Sequence, residues 1–292
     1  MSRGFLLGFG LPACAILCVA LSPDQAQPMP VHVVAAENMY GDIAAQLGGP
    51  GVVVTSILSS PDQDPHLFEA SPATARAVAG ADIVIANGLG YDPWLQKLLL
   101  GKPGGRDLLV VADIASRTAG DNPHLWYDVG AMLAFAPVFS AALDRRDAAR
   151  ADDHAQRLAA FTASVHQLQN RIAAMRVRMA GLPVTATEPV FGLMAADLGM
   201  AMRNMRFQMA VMNDTEPRAS DIAAFETDLR SRRVRVLFTN SQAEDAAARR
   251  LRGIAVAAHV PVVAVTETEP AGTTYQAWMA SELDALDQAL GK

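Results

Sequence analysis

Apolar positions along this chain switch between two-residue and three-to-four-residue periods, and the switching predicts alternating strands and helices. Val31-His32-Val33-Val34-Ala35-Ala36 is a short β-prone run, and Met39 to Leu47 reads as helical until Gly48-Gly49. Val52 to Ile57 predicts a second strand. Pro72 suits the first turn of a helix running to about Gly80, with Ser71 placed to cap it. Asp82 to Ala86 and Leu108 to Val111 predict two more strands, separated by Asn87-Gly88-Leu89-Gly90 and a helix from Trp94 to Leu100. From about Arg150 to Met179 the sequence has neither glycine nor proline. There Leu158, Phe161, Val165, Leu168, Ile172 and Met175 line one helical face. Such a helix is about 45 Å long, enough to cross a protein of this size.

Beyond Gly181 the strand and helix pattern returns. Pro183 to Thr187 predicts a strand and Phe191 to Leu198 a helix; Phe207 to Val211 reads as strand-like and Asp221 to Ser231 as helical. Val234 to Thr239 and Val260 to Val265 predict strands on either side of a helix from Ala243 to Arg252, and Tyr275 to Leu290 predicts a closing amphipathic helix. Strands separated by helices imply parallel sheets, so the expected class is α/β: two αβ lobes joined by one long rigid helix. The expected divisions are 27–147 and 181–292 for the lobes and 148–180 for the linking helix.

Arg3, the apolar run Phe5 to Leu21 and the small or polar residues Ser22 to Ala26 have the three-part pattern of a secretory signal, taken as 1–26. The chain is therefore expected to be exported, periplasmic and soluble. Both cysteines, Cys14 and Cys18, lie inside that segment. Leu11-Pro12-Ala13-Cys14 loosely resembles a lipidation box. A mature chain without cysteine leaves His, Asp and Glu as candidate metal ligands. The net charge of −6 carries no nucleic-acid footprint.

Two histidines follow prolines in strand-exit loops, in Asp64-Pro65-His66 and Asn122-Pro123-His124. Proline stiffens the backbone on which each imidazole is presented. Ligand sites in parallel sheets lie beyond the carboxyl ends of the strands, where Glu188, Glu267 and Glu269 are also expected. Each glutamate could equally cap a following helix. Met194, Met200, Met202, Met205, Met209 and Met212 read as core filling rather than a copper site. His154 and His166 read as solvated helix residues, and Trp94, Trp126 and Trp278 as packing anchors.

Asp64-Pro65-His66, Ala81-Asp82-Ile83-Val84 with Asn87-Gly88-Leu89-Gly90, Asn122-Pro123-His124-Leu125-Trp126-Tyr127-Asp128, Glu188 with Phe191-Gly192, and Thr273-Thr274-Tyr275 together resemble the solute-binding proteins of zinc and manganese ABC importers. The resemblance implies one metal in the cleft, held by two residues from each lobe: His66, His124, Glu188 and Glu267. Glu269 is the rival for the fourth place, since an extended strand would turn it to the same face as Glu267. Glu37 is expected near the cleft, capping or hydrogen bonding. Zn²⁺ is the expected ion, with Mn²⁺ or Fe²⁺ as alternatives. The implied partner is the ABC permease of a metal importer, and the protein is expected to be a monomer without enzymatic activity. A metal-dependent hydrolase using His66, His124 and Glu188, or a periplasmic chaperone or adhesin, are the other readings.

Overall fold

The computed structural model describes Met1 and residues 29–61, 65–100 and 105–291. The signal-like segment after Met1, both cysteines and Asp64 lie outside these residues. The N-terminal lobe runs β1 (Val31–Glu37), α1 (Asn38–Gly48), β2 (Val52–Leu58), α2 (Pro72–Gly80), β3 (Ile83–Ala86), α3 (Pro93–Leu99), β4 (Asp107–Val110), α4 (Val111–Ile114) and α5 (Val129–Arg146). After α6 (Ala151–Met179) come β5 (Pro183–Ala186), α7 (Gly192–Asp197), β6 (Ala201–Met202), α8 (Met205–Met212), α9 (Ala219–Arg230), β7 (Leu237–Asn240), α10 (Ala246–Ala257), β8 (Val262–Val265) and α11 (Tyr275–Leu290).

Among the described residues, each lobe carries a parallel sheet of four strands. The orders are β2-β1-β3-β4 and β6-β5-β7-β8, the same topology twice. In each sheet the strand order reverses between the first and third strands in sequence, the switch point at which parallel sheets place ligands. Both sheets therefore offer a crevice at their carboxyl ends.

The apolar stripe expected on the long helix is the stripe that is buried. Phe161, Val165, Leu168, Ile172 and Met175 all face inward from α6, a helix of 29 residues. It packs on α1 and α5 of one lobe and on α7 and α11 of the other. Ser71 caps α2 as expected, its hydroxyl accepting the Thr74 N–H at 3.1 Å in a reciprocal box.

One continuous core joins the lobes. It runs from Val33 and Ile85 of the first sheet through Phe135 and Phe139 of α5 and Val165 of α6 to Phe238 and Val265 of the second sheet. Smaller clusters cover the outer faces: Val34, Val84 and Trp94 in the first lobe, Phe207, Phe225 and Leu251 in the second. Opening the lobes widely would expose the shared core, so the bridge resists hinge motion.

Three readings are corrected. Phe207 to Val211 is helical, within α8, because Phe207 and Val211 form an i, i+4 pair that packs in the outer cluster of the second lobe. His154 is fully buried, with Nδ1 2.8 Å from Asp144 Oδ1, and helps fasten α6 to α5; His166 is exposed as expected. The 18-residue α5 follows the second histidine loop, where no helix was expected; Pro137 lies inside it. Among the described residues, no helix is long and apolar enough to cross a membrane.

Candidate metal centre

Five strand exits converge on one point. The segment after β2 carries His66 in a short 3-10 turn, Pro65–Leu67, and the loop beyond β4 carries His124 just before another, Leu125–Tyr127. Two residues past β5 stands Glu188, Asn240 ends β7, and Glu267 lies two residues beyond β8. His66 Nε2 is 3.5 Å from Glu188 Oε1 and 3.6 Å from Glu267 Oε2, and His124 Nε2 is 3.3 Å from the same Glu267 oxygen. Ligand atoms of His66, Glu188 and Glu267 all lie within 4.8 Å of one another. Bonds of 2.0–2.1 Å to a tetrahedral ion would separate ligands by about 3.4 Å, close to the 3.3–3.6 Å contacts; the group that meets as a set is His66, Glu188 and Glu267, and His124 joins it through Glu267. His124, Glu188 and Glu267 are buried, while His66 keeps 24% of its side chain accessible at the mouth.

Asn122 sets the orientation and tautomer of His124. Its Oδ1 accepts the His124 backbone N–H at 3.0 Å and lies 2.6 Å from ring Nδ1. Its Nδ2 donates to Pro189 O at 2.7 Å, which identifies the oxygen end of the amide. Nδ1 therefore carries the proton, and Nε2 turns its lone pair toward Glu267. That nitrogen is buried and makes no hydrogen bond. A lone pair facing a carboxylate oxygen in a dry site is repulsive until a cation comes between them.

The carboxylates are held with equal care. Asn240 Nδ2 donates to Glu188 Oε2 at 2.7 Å and to Glu267 Oε1 at 2.5 Å, and the Tyr91 hydroxyl donates to Glu267 Oε2 at 2.8 Å. Gln242 Oε1 accepts the backbone N–H groups of Glu267 and Thr268, fixing the loop. Burial would raise the Glu267 carboxyl, and the hydrogen bonds it accepts from the Tyr91 hydroxyl and the Asn240 amide oppose that by favouring its anion. Glu267 is thus an anion at neutral pH.

Glu269 does not share the face of Glu267. The strand ends at Val265, and the chain bends at Glu267 and Thr268, so extended alternation no longer applies. Asn38 grips the Glu269 backbone, donating to its carbonyl at 2.7 Å and accepting its N–H at 2.9 Å. Burial, and secondarily Asp42, pushes the Glu269 carboxyl up to about 9. Glu37 is not a side-chain cap either. It is fully buried, neither carboxyl oxygen is hydrogen bonded, and burial followed by Asp92 raises it well above the usual carboxylate range.

Asn240, Tyr91 and Gln242 did not emerge as site residues from the sequence. Asn240 ends the strand next to β5 at the switch point of its sheet, a placement that only the strand order reveals. Tyr91 carried none beyond following the glycine-rich turn.

The model of the family described as zinc-uptake complex component A, periplasmic (ZnuA) matches residues 33–289. The chain belongs to the ZnuA family. Among curated relatives of this ZnuA-family protein, the manganese-binding lipoprotein MntA of Halalkalibacterium halodurans is 27% identical over 147 residues, 49% of this chain and 48% of that one. The iron-binding protein YfeA of Yersinia pestis is 24% identical over 179 residues, 57% of this chain and 56% of that one. The chain spans 34% to 56% of the lengths of the curated relatives it matches. The periplasmic zinc-binding protein TroA of Treponema pallidum has the same fold, with a TM-score of 0.77 at 19% identity over 89% of this chain and 99% of that one. A manganese-bound periplasmic metal-binding protein from Candidatus Liberibacter asiaticus gives 0.70 at 18% identity, over the same shares of both chains.

Proposed function

We propose that this ZnuA-family protein is an exported solute-binding protein that captures one divalent cation, zinc first, and hands it to the permease of an ABC importer. The observation that carries the reading is the approach of His66, His124, Glu188 and Glu267 from four different strand exits, at 3.3–3.6 Å across their three measured contacts. Two neutral imidazoles and two carboxylates supply a mixed nitrogen and oxygen set, and the two negative charges neutralise a dication as it leaves water. The resulting complex carries no net charge to bury.

Capture follows from the accessibility of the parts. His66, the accessible ligand, meets the hydrated ion first, and the three buried ligands then strip its water. Zinc suits four mixed ligands, with manganese and iron as the competitors that relatives' names bring forward. Carriage is favoured over metal-dependent hydrolysis by membership of a family described as a zinc-uptake component; with His124 as the fourth ligand beside the His66, Glu188 and Glu267 cluster, no place is left for the reactive water that hydrolysis needs. Calorimetric titration with zinc should give one ion per chain, abolished when His124 and Glu188 are both replaced by alanine. In a host lacking its own zinc importer component, growth in chelated medium should depend on this chain and its cognate permease. Stoichiometric zinc binding without such growth would leave a chaperone or adhesin, and absence of binding would reject the reading.

A further inference from the structure

Asn240 is 2% exposed and stands where β7 ends. Its amide has one possible orientation, because Oδ1 accepts the Gln242 backbone N–H at 3.0 Å. The nitrogen end therefore faces the two carboxylates. Its two protons go one to each: Glu188 Oε2 at 2.7 Å and Glu267 Oε1 at 2.5 Å. The oxygens left over, Glu188 Oε1 and Glu267 Oε2, are the ones that approach the imidazole nitrogens.

We infer that Asn240 confines Glu188 and Glu267 to one ligating oxygen each, and so makes the centre a four-coordinate site that selects zinc over manganese. This rests on the metal-binding role proposed above and specifies how the ion is chosen. A carboxylate free at both oxygens can swing to chelate an ion through a four-membered ring. Manganese gains from that, since it is a hard ion served by oxygen-rich shells of up to six ligands. Zinc is satisfied with four. Here the Asn240 bonds fix how each carboxylate is turned, so swinging a second oxygen of either glutamate toward the ion would pull it from its Asn240 proton and leave a buried amide proton poorly paired. Tyr91 and Trp126 pack edge-on to His124 at centroid separations of 6.0 and 5.3 Å, which holds that imidazole in place.

The test uses the full mature chain and the variants Asn240→Ala and Asn240→Leu, the second of which preserves side-chain bulk. Each is loaded with Co²⁺, whose visible bands are strong in four-coordinate tetrahedral sites and weak in five- or six-coordinate ones. Each is also titrated with Zn²⁺ against Mn²⁺ in competition, and circular dichroism checks the metal-free fold. Wild type should show the strong bands, and both variants should lose intensity while their preference for zinc over manganese falls about tenfold or more. Should the variants fail to fold, X-ray absorption at the zinc edge of the wild type decides alone: four light ligands with single-oxygen carboxylates are required. Weak cobalt bands or a five- or six-ligand zinc shell in the wild type would overturn the inference. So would folded variants that retain wild-type bands and selectivity. Failure of the underlying role would look different, because His66→Ala would then bind zinc as the wild type does.

Discussion

The Asn122 carboxamide oxygen holds the backbone N–H of His124 at 3.0 Å and its ring Nδ1 at 2.6 Å, while the other end of the amide reaches across to Pro189, one residue past Glu188. One side chain thus sets the tautomer of a candidate ligand in the first lobe and fastens it to the strand exit that supplies another in the second. Asn122→Ala should therefore lower zinc affinity about 10- to 100-fold, the usual range for groups that orient metal-binding histidines. Gly192 makes room for the bridge, since a Cβ there would lie 2.8 Å from Asn122 Nδ2. Gly192→Ala should weaken binding in the same direction. Unchanged calorimetric affinity in both variants would remove Asn122 from this role.

His66 is the exposed member of the cluster, so its loss should cost binding and leave the fold alone. His66→Ala is expected to reduce zinc affinity more than about a hundredfold. The metal-free variant should unfold at the wild-type temperature, since the side chain is 24% accessible and belongs to neither sheet. Calorimetry and thermal denaturation of the same sample separate the two effects. A large drop in melting temperature would mean that His66 is structural.

The two late glutamates are distinguished by where the chain bends. Glu267 sits among two imidazoles, Asn240 and Tyr91, whereas Glu269 lies on the Asn38 and Asp42 side with its carboxyl pushed up to about 9. Glu267→Gln removes an anion from the site and should reduce affinity more than about a hundredfold. Glu269→Gln replaces a neutral acid with a neutral amide and should change it little. The reverse order in calorimetry would transfer the fourth ligand to Glu269.

What was legible in the sequence, and what was not, follows from the range of the forces involved. The long helix showed because its buried face repeats over 29 residues without glycine or proline, and Ser71 showed because capping is local chemistry. The histidine loops showed through their prolines. Helix α5 did not, since Gly130 and Pro137 are poor helix formers and alanines on several faces blur the contrast. Helix α8 was masked by Phe207, Met209 and Val211, whose two-residue spacing imitates a strand. Asn240 was hidden for a different reason. Its importance comes from two carboxylates 52 and 27 residues away in sequence, and no local pattern records that meeting. The bend that separates Glu267 from Glu269 is likewise set by Gln242 and Asn38, which capture the backbone from outside the segment.

Glu282 gives the fold a pH dependence that can be read apart from the metal. It lies on α11, where burial outweighs the Trp278 indole and the Tyr127 hydroxyl and raises its carboxyl from 4.5 to about 7. The Trp278 Nε1–H donates to its Oε1 at 3.1 Å. The folded chain therefore holds this proton more tightly than the unfolded chain, so stability is present in full below about pH 4.5 and is lost as pH rises toward 7. A shift of that size corresponds to about 3 kcal/mol across the window. Glu282→Gln is neutral at every pH, and its oxygen can still accept the indole N–H. The metal-free variant should unfold several degrees above wild type at pH 8, with the gap closing by pH 4.5. A gap that stays constant between those two pH values would mean that Glu282 is already ionised within the folded protein.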